Sequence, residues 1–172
     1  MPATTILLAP GASGTIERLA PHRSALEARG LVVELIQLPR GTAERAVPVF
    51  RAAVGDRGPS VVIGGHSFGG RVASLLAADE RPAALVLLSY PLHAPGRSEA
   101  WEARTAHWAS ILCPVLVLSG EADPFARIGL LRAAVERLPD ARLVTYPGVG
   151  HGLAPVLSQA LDEVAAFIGA RT

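Results

Sequence analysis

The chain of 172 residues contains one cysteine, Cys113, and no lysine, so that all sixteen of its basic residues are arginine. A lone cysteine excludes an internal disulfide, and without companion cysteines it excludes a thiolate metal cluster. Cys113 heads the apolar run CPVLVLSG and reads as a buried structural thiol. The missing lysine, beside abundant alanine, reflects codon bias and carries no functional weight. Charge of one sign is also lacking: sixteen arginines against fifteen acidic residues give a formal net charge of +1. No basic stripe is present to follow a nucleic-acid backbone, which excludes nucleic acid as an expected partner. No hydrophobic run is long enough to span a bilayer. The opening MPATTILLAPGASG lacks a positive n-region, and Pro10 and Gly11 interrupt its apolar stretch, so no signal peptide is expected. These absences predict a cytoplasmic protein with no membrane partner. Internal repeats, linkers and low-complexity segments are absent as well, and one domain over 1–172 is expected.

Half of the residues are hydrophobic, and they fall into short continuous runs: TTILLA (4–9), LVVELIQL (31–38), SVVIGG (60–65), AALVLLS (83–89), PVLVLSG (114–120) and ARLVTYP (141–147). Continuous rather than alternating apolarity marks strands covered on both faces. Segments of helical spacing lie between and after them, at about 15–29, 43–57, 68–79, 98–110, 125–137 and 155–169. Strict strand–helix alternation with right-handed crossovers predicts a three-layer α/β/α sandwich on a mainly parallel sheet of about six strands, with ligands bound at the carboxyl ends of the strands. The longest connection, 90–112, is too short for a lid domain. Trp101, Thr105 and Trp108 share one face of its helical part and are expected to pack on the sheet.

The stretch GGHSFGGR, residues 64–71, follows the third predicted strand and opens the third predicted helix. Within it Gly65–Gly69 matches G-x-S-x-G, and the strand–turn–helix setting is what exposes a nucleophilic serine at a sharp turn. The helix start directs free N–H groups at Ser67, which favours an oxyanion there. A serine needs a base and a group to orient that base. Asp123 stands just past the fifth strand in SGEADPF, and His151 just past the sixth in GVGHGL. The chain order Ser67, Asp123, His151 and the three strand-end placements together make a catalytic triad the expected site. Glu121 is the competing acid. His22, His66, His93 and His107 are the competing bases: His66 adjoins the serine on a turn expected to point the two side chains apart, and His22 and His107 read as surface or helix histidines.

Two backbone amides are needed for the oxyanion. Phe68, next after the serine, supplies one, and the loop after the first strand, LLAPGASG, supplies the other from Ala12, with Gly11 the second choice. That loop lacks the Lys-Ser/Thr of a P-loop and does not complete G-x-G-x-x-G, which argues against nucleotide binding. Gly11, and Tyr90 and His93 of YPLHAPG at the end of the fourth strand, are the expected substrate contacts. Arg71 is expected to pair with a neighbouring acid or carbonyl; Arg40 follows the second strand, where contact with an acidic substrate group is the lesser of its two readings, and the sequence decides neither role. No ligand cluster suggests a metal or an organic cofactor.

LLAPGASG, VIGGHSFGGRVASLLAA, SYPLHAPG, SGEADPF and GVGHGL resemble, in order, the oxyanion turn, nucleophile elbow, post-strand loop, acid loop and histidine loop of the α/β-hydrolase superfamily, and more narrowly of small lidless proteins similar to dienelactone hydrolases. The resemblance covers nearly the whole chain. It implies a serine esterase with Ser67 as nucleophile, His151 as base and Asp123 as its orienter, acting on small-molecule esters of short acyl groups because no lid is available to bury a fatty chain. The chain starts at what would be the third strand of that superfamily, so its first antiparallel hairpin is expected to be missing, and the edge strand so exposed offers a place for two chains to pair. Dienelactone hydrolases use cysteine where this chain has Ser67, so their particular substrate does not carry over. Some eukaryotic members of the same broad group resemble scaffold subunits of chromatin complexes, and a catalytically silent binding module is the alternative reading.

Overall fold

Six parallel strands form one sheet in the computed structural model, which describes residues 3–171. They are β1 (Thr5–Ala9), β2 (Val32–Leu35), β3 (Val61–His66), β4 (Ala84–Leu88), β5 (Val115–Gly120) and β6 (Ala141–Tyr146). Their order across the sheet is β2-β1-β3-β4-β5-β6. The chain steps outward from β1 to β2, then returns to the other side of β1 and runs one way to β6. The switch point therefore lies between the carboxyl ends of β1 and β3, where a crevice opens in sheets of this kind. Ala9 pairs with Gly65 across it, so the loops after those two strands face each other.

The helices are α1 (Ala20–Glu27), α2 (Ala43–Val54), α3 (Phe68–Asp79), α4 (Trp101–Arg104), α5 (Ile128–Val135) and α6 (Leu157–Gly169). Alternate strand residues face opposite layers. Leu7, Ile63, Leu85 and Val117 join a core with α2, α3 and α5, and Ile6, Val62, Val86 and Leu116 join one with α1 and α6. The central strands are buried on both faces, which explains their unbroken hydrophobic runs.

Several elements are shorter than their periodicity predicts, each for a local reason. α2 stops at Gly55, whose φ of 57° suits a glycine at a helix end. Gln37 leaves β2 to accept the Ile16 amide (3.0 Å). The helix expected over 98–110 is broken at Thr105, whose Oγ1 donates back to the Trp101 carbonyl (2.9 Å). The face of that segment is nevertheless buried as expected: Trp108 and Thr105 are fully enclosed, and the Arg137 guanidinium covers the Trp101 ring. Cys113 is buried, and burial pushes its thiol up to about 11. Among the described residues, no helix is long and apolar enough to cross a membrane.

Candidate active site

Ser67 ends β3 in a strained conformation. Its amide still extends the ladder by donating to the Leu88 carbonyl (2.8 Å), but its own φ is 49° and ψ −116°, a region that costs a non-glycine residue about 1–3 kcal/mol. The strain turns the chain straight into α3 and leaves the hydroxyl standing clear of the sheet. Glycines make the turn possible: a Cβ on Gly69 would overlap the Ala9 carbonyl, so only glycine lets α3 start this close to β1.

The acid and the histidine arrive from the ends of β5 and β6. Gly120 has the same kind of reason to be glycine, since a Cβ there would overlap the Val149 carbonyl; the same carbonyl accepts the Ala122 amide (2.9 Å). This close approach brings the two loops together. Asp123, its side chain wholly enclosed, is anchored by Oδ1, which accepts the Phe125 amide (2.8 Å). Its other oxygen, Oδ2, lies 2.7 Å from His151 Nδ1. A carboxylate only accepts, so Nδ1 carries the proton and Nε2 keeps its lone pair. Nε2 in turn lies 3.0 Å from Ser67 Oγ. The three side chains thus form a continuous relay in which a proton leaving the serine has a basic nitrogen to reach, and the charge created has a buried carboxylate behind it. Glu121 is not in it: its carboxylate accepts from Thr145 Oγ1 (2.7 Å) and faces Arg132.

Phe68 is the first residue of α3, where an amide has no carbonyl one turn back within the helix. Ala12 occupies the second position of a turn closed by Gly14 N–H donating to the Gly11 carbonyl (3.0 Å), a position whose amide the turn does not use. Both residues border the cavities on which Ser67 opens.

Two cavities meet at the serine. The larger, about 570 Å³, has an apolar wall from Leu19, Pro21, Phe125, Ala154 and Leu157, and also takes in Gly11, His66 and His151. The smaller, about 380 Å³, is bordered by Phe68, Arg71, Glu44 and Arg104. Arg71 pairs with Glu44 (3.0 Å), as its position on the first turn of the helix suggested. Arg40 is exposed and lines neither of these two cavities.

Two expected substrate contacts are corrected. Tyr90 is fully buried, its ring set edge-on against Trp108 and its hydroxyl donating to the Arg104 carbonyl (3.1 Å). His93 is also buried, with Nδ1 donating to the Ala94 carbonyl (2.9 Å) and Nε2 accepting the Arg127 amide (3.1 Å). Nε2 thereby braces the acid loop at Arg127, while Nδ1 is spent on the adjacent backbone; of the loop after β4 it is Pro91 and Ala94, not Tyr90 or His93, that border the smaller cavity. His66 departs from expectation in the other direction. Even-numbered residues of β3 face the α1/α6 layer, so its ring comes 5.2 Å from that of His151 and lines the same cavity. His22, on α1, lines it too. The Phe125 ring lies 4.7 Å from His151. Sequence reasoning missed Phe125, and also Ser89, whose Oγ accepts the Gly152 amide (3.2 Å) and steadies the histidine loop. Only proximity to Asp123 in SGEADPF pointed to the first, and nothing pointed to the second. Among the described residues, no group of three or more His, Cys, Asp or Glu is placed to hold a metal ion.

Burial, and then the neighbouring His151, push His66 down to about 4; burial, and then Arg71, push His107 down to about 4, with Ser74 Oγ 2.8 Å from its Nε2. Both are therefore neutral when folded and protonate more readily when unfolded. Their contribution to stability is complete above the unfolded value near 6.5 and is lost as pH falls toward 4. Between pH 7 and about pH 5 the protein is expected to lose on the order of 3 kcal/mol, with His66 contributing more than the less buried His107. Urea unfolding at the two pH values checks this, and a flat profile would show that neither imidazole is desolvated.

No curated protein matches the chain at a significant level. Among solved structures, the monoacylglycerol lipase of Paleococcus ferrophilus superposes with a TM-score of 0.86 at 15% identity, over 99% of this chain and 97% of that one. Est1E of Butyrivibrio proteoclasticus superposes with a TM-score of 0.79 at 18% identity, over 98% and 88% of the two chains. These likenesses carry the fold. A family model described as an alpha/beta hydrolase domain matches residues 40–167, which takes in the elbow, the acid loop and the histidine loop, and the chain belongs to the α/β-hydrolase domain family.

Proposed function

We propose that this protein is a serine hydrolase that cleaves carboxylic esters through an acyl-enzyme. The observation that carries the reading is the unbroken relay from enclosed Asp123 through His151 (2.7 Å) to the hydroxyl of a strained Ser67 (3.0 Å). His151 Nε2 takes the serine proton as Oγ attacks the ester carbonyl, and the Asp123 carboxylate stabilises the imidazolium that forms. The Phe68 and Ala12 amides, with the positive end of α3 behind the first, receive the negative oxygen. Collapse of the tetrahedral intermediate expels the alcohol, which takes its proton from His151, and water then cleaves the acyl-enzyme with His151 again as base.

The leaving oxygen must stand close to His151 Nε2. His151 borders the larger, apolar cavity and not the smaller one, so the alcohol portion is assigned to the former and the acyl portion to the latter. The acyl side is bordered by the charged side chains of Glu44, Arg71 and Arg104, a lining that suits a short chain rather than a long apolar one. The monoacylglycerol lipase among the structural neighbours agrees with an ester substrate.

The test is labelling with a fluorophosphonate, followed by peptide mass spectrometry. Stoichiometric modification of Ser67, absent in Ser67→Ala, is the expected result. A well-folded sample that stays unlabelled would leave the elbow as architecture and favour the binding-module reading.

A further inference from the structure

The smaller cavity has a chemistry that ester cleavage alone does not call for. It contacts the reaction centre through Ala12, Ser67 and Phe68, and its lining also carries two guanidinium groups, Arg71 and Arg104, and one carboxylate, Glu44. Each guanidinium offers five N–H donors. Arg71 uses one on Glu44 (Nη2 to Oε1, 3.0 Å) and Arg104 one on the Pro91 carbonyl (Nη1, 3.2 Å). Among the described residues, neither side chain has a further acceptor, and Arg104 makes no ion pair. Arg104 is half-buried and braced, its side chain on Pro91 and its carbonyl under the Tyr90 hydroxyl. Burial and the nearby positive charge of Arg71 both act against its own charge and lower its pKa. A half-buried cation with unused donors beside a second cation is an uncompensated positive site, and Glu44, 60% exposed, balances only one of the two.

Taking the ester-hydrolase reading as its premise, we propose that Arg71 and Arg104 bind a carboxylate at the far end of the acyl group, so that the preferred substrates are half-esters of dicarboxylic acids. Planar guanidinium groups suit a carboxylate in geometry as well as charge. The local balance of two cations and one anion is completed by one further negative charge. The acyl placement follows from His151, which assigns the leaving alcohol to the other cavity.

The test compares 4-nitrophenyl hydrogen adipate with 4-nitrophenyl hexanoate, which differ only in a terminal carboxylate in place of a methyl group. The wild-type kcat/KM is expected to favour the adipate by at least about tenfold, the least that a charge-assisted hydrogen bond supplies. In Arg104→Gln the ratio should fall to near one, with partial recovery in Arg104→Lys. A wild-type ratio near or below one overturns the proposal, and it does so even if the variants fail to fold. The pair 4-acetoxybenzoate and phenyl acetate, with the charge on the leaving group, should differ by less than about threefold; a preference there instead overturns the acyl-side assignment. Binding separates this proposal from its premise. By calorimetry, Ser67→Ala should bind monomethyl adipate at least about tenfold more tightly than methyl hexanoate. Equal binding overturns the arginine site, whereas selective binding without turnover of any of the four esters overturns the ester-hydrolase reading and leaves the site standing.

Discussion

Ser67→Ala is expected to lower kcat toward 4-nitrophenyl acetate by roughly 10⁵-fold while leaving the circular dichroism spectrum unchanged. The size of the effect follows from what the hydroxyl alone provides. His151 Nε2 has no other partner for the proton it would accept, and the strained φ of 49° serves only to present Oγ. Alanine keeps the ladder bond from residue 67 to Leu88 and the start of α3, because both are made by backbone atoms. His151→Ala should cost a similar factor. The double variant should cost little more than either single one, since nucleophile and base act as a unit. A loss below tenfold in either single variant would remove that residue from the mechanism, and additive losses would mean that the two residues do not share a step.

The sheet and the relay were legible in the sequence for one physical reason. Buried parallel strands write themselves as continuous apolar runs, and in such sheets chemistry collects at the strand ends. Asp123 and His151 lie just past the ends of β5 and β6, where those runs stop. The failures share a reason as well. Tyr90 and His93 also follow the end of a strand, but whether a loop side chain faces the cleft or the core depends on tertiary placement that no spacing records. His93 braces Arg127, 34 residues away, and Ser89 holds Gly152, 63 residues away. Helix ends were misjudged where a side chain competed with the backbone, as at Thr105, or where the acid loop used residues that fit a helical period. Phe125 and Ala126 bond back to Asp123 instead of starting α5. The side chain of His66 was the subtlest failure: the alternation of β3 sends it to the α1/α6 layer, the same side from which the His151 loop approaches.

Asp123→Asn is expected to reduce kcat by on the order of 10⁴-fold with little change in stability, and the structure dictates why the amide cannot adapt. The Phe125 N–H requires an acceptor from residue 123 and takes Oδ1 at 2.8 Å. In the asparagine the carbonyl oxygen must stay there, so the amide nitrogen faces His151 Nδ1, where the carboxylate oxygen stood at 2.7 Å. Two donors cannot meet across that distance. The imidazole must present a lone pair at Nδ1, which puts its proton on Nε2 and leaves nothing to receive the proton of Ser67. Glu121→Gln provides the contrast. That side chain accepts from Thr145 Oγ1, a bond that glutamine can also make, and its loss of kcat should be no more than about threefold. Steady-state kinetics on the two variants separates the assignments. A large loss in Glu121→Gln with near-normal Asp123→Asn would mean that the histidine turns to the other acid during turnover, and the relay seen at rest would not be the one that works.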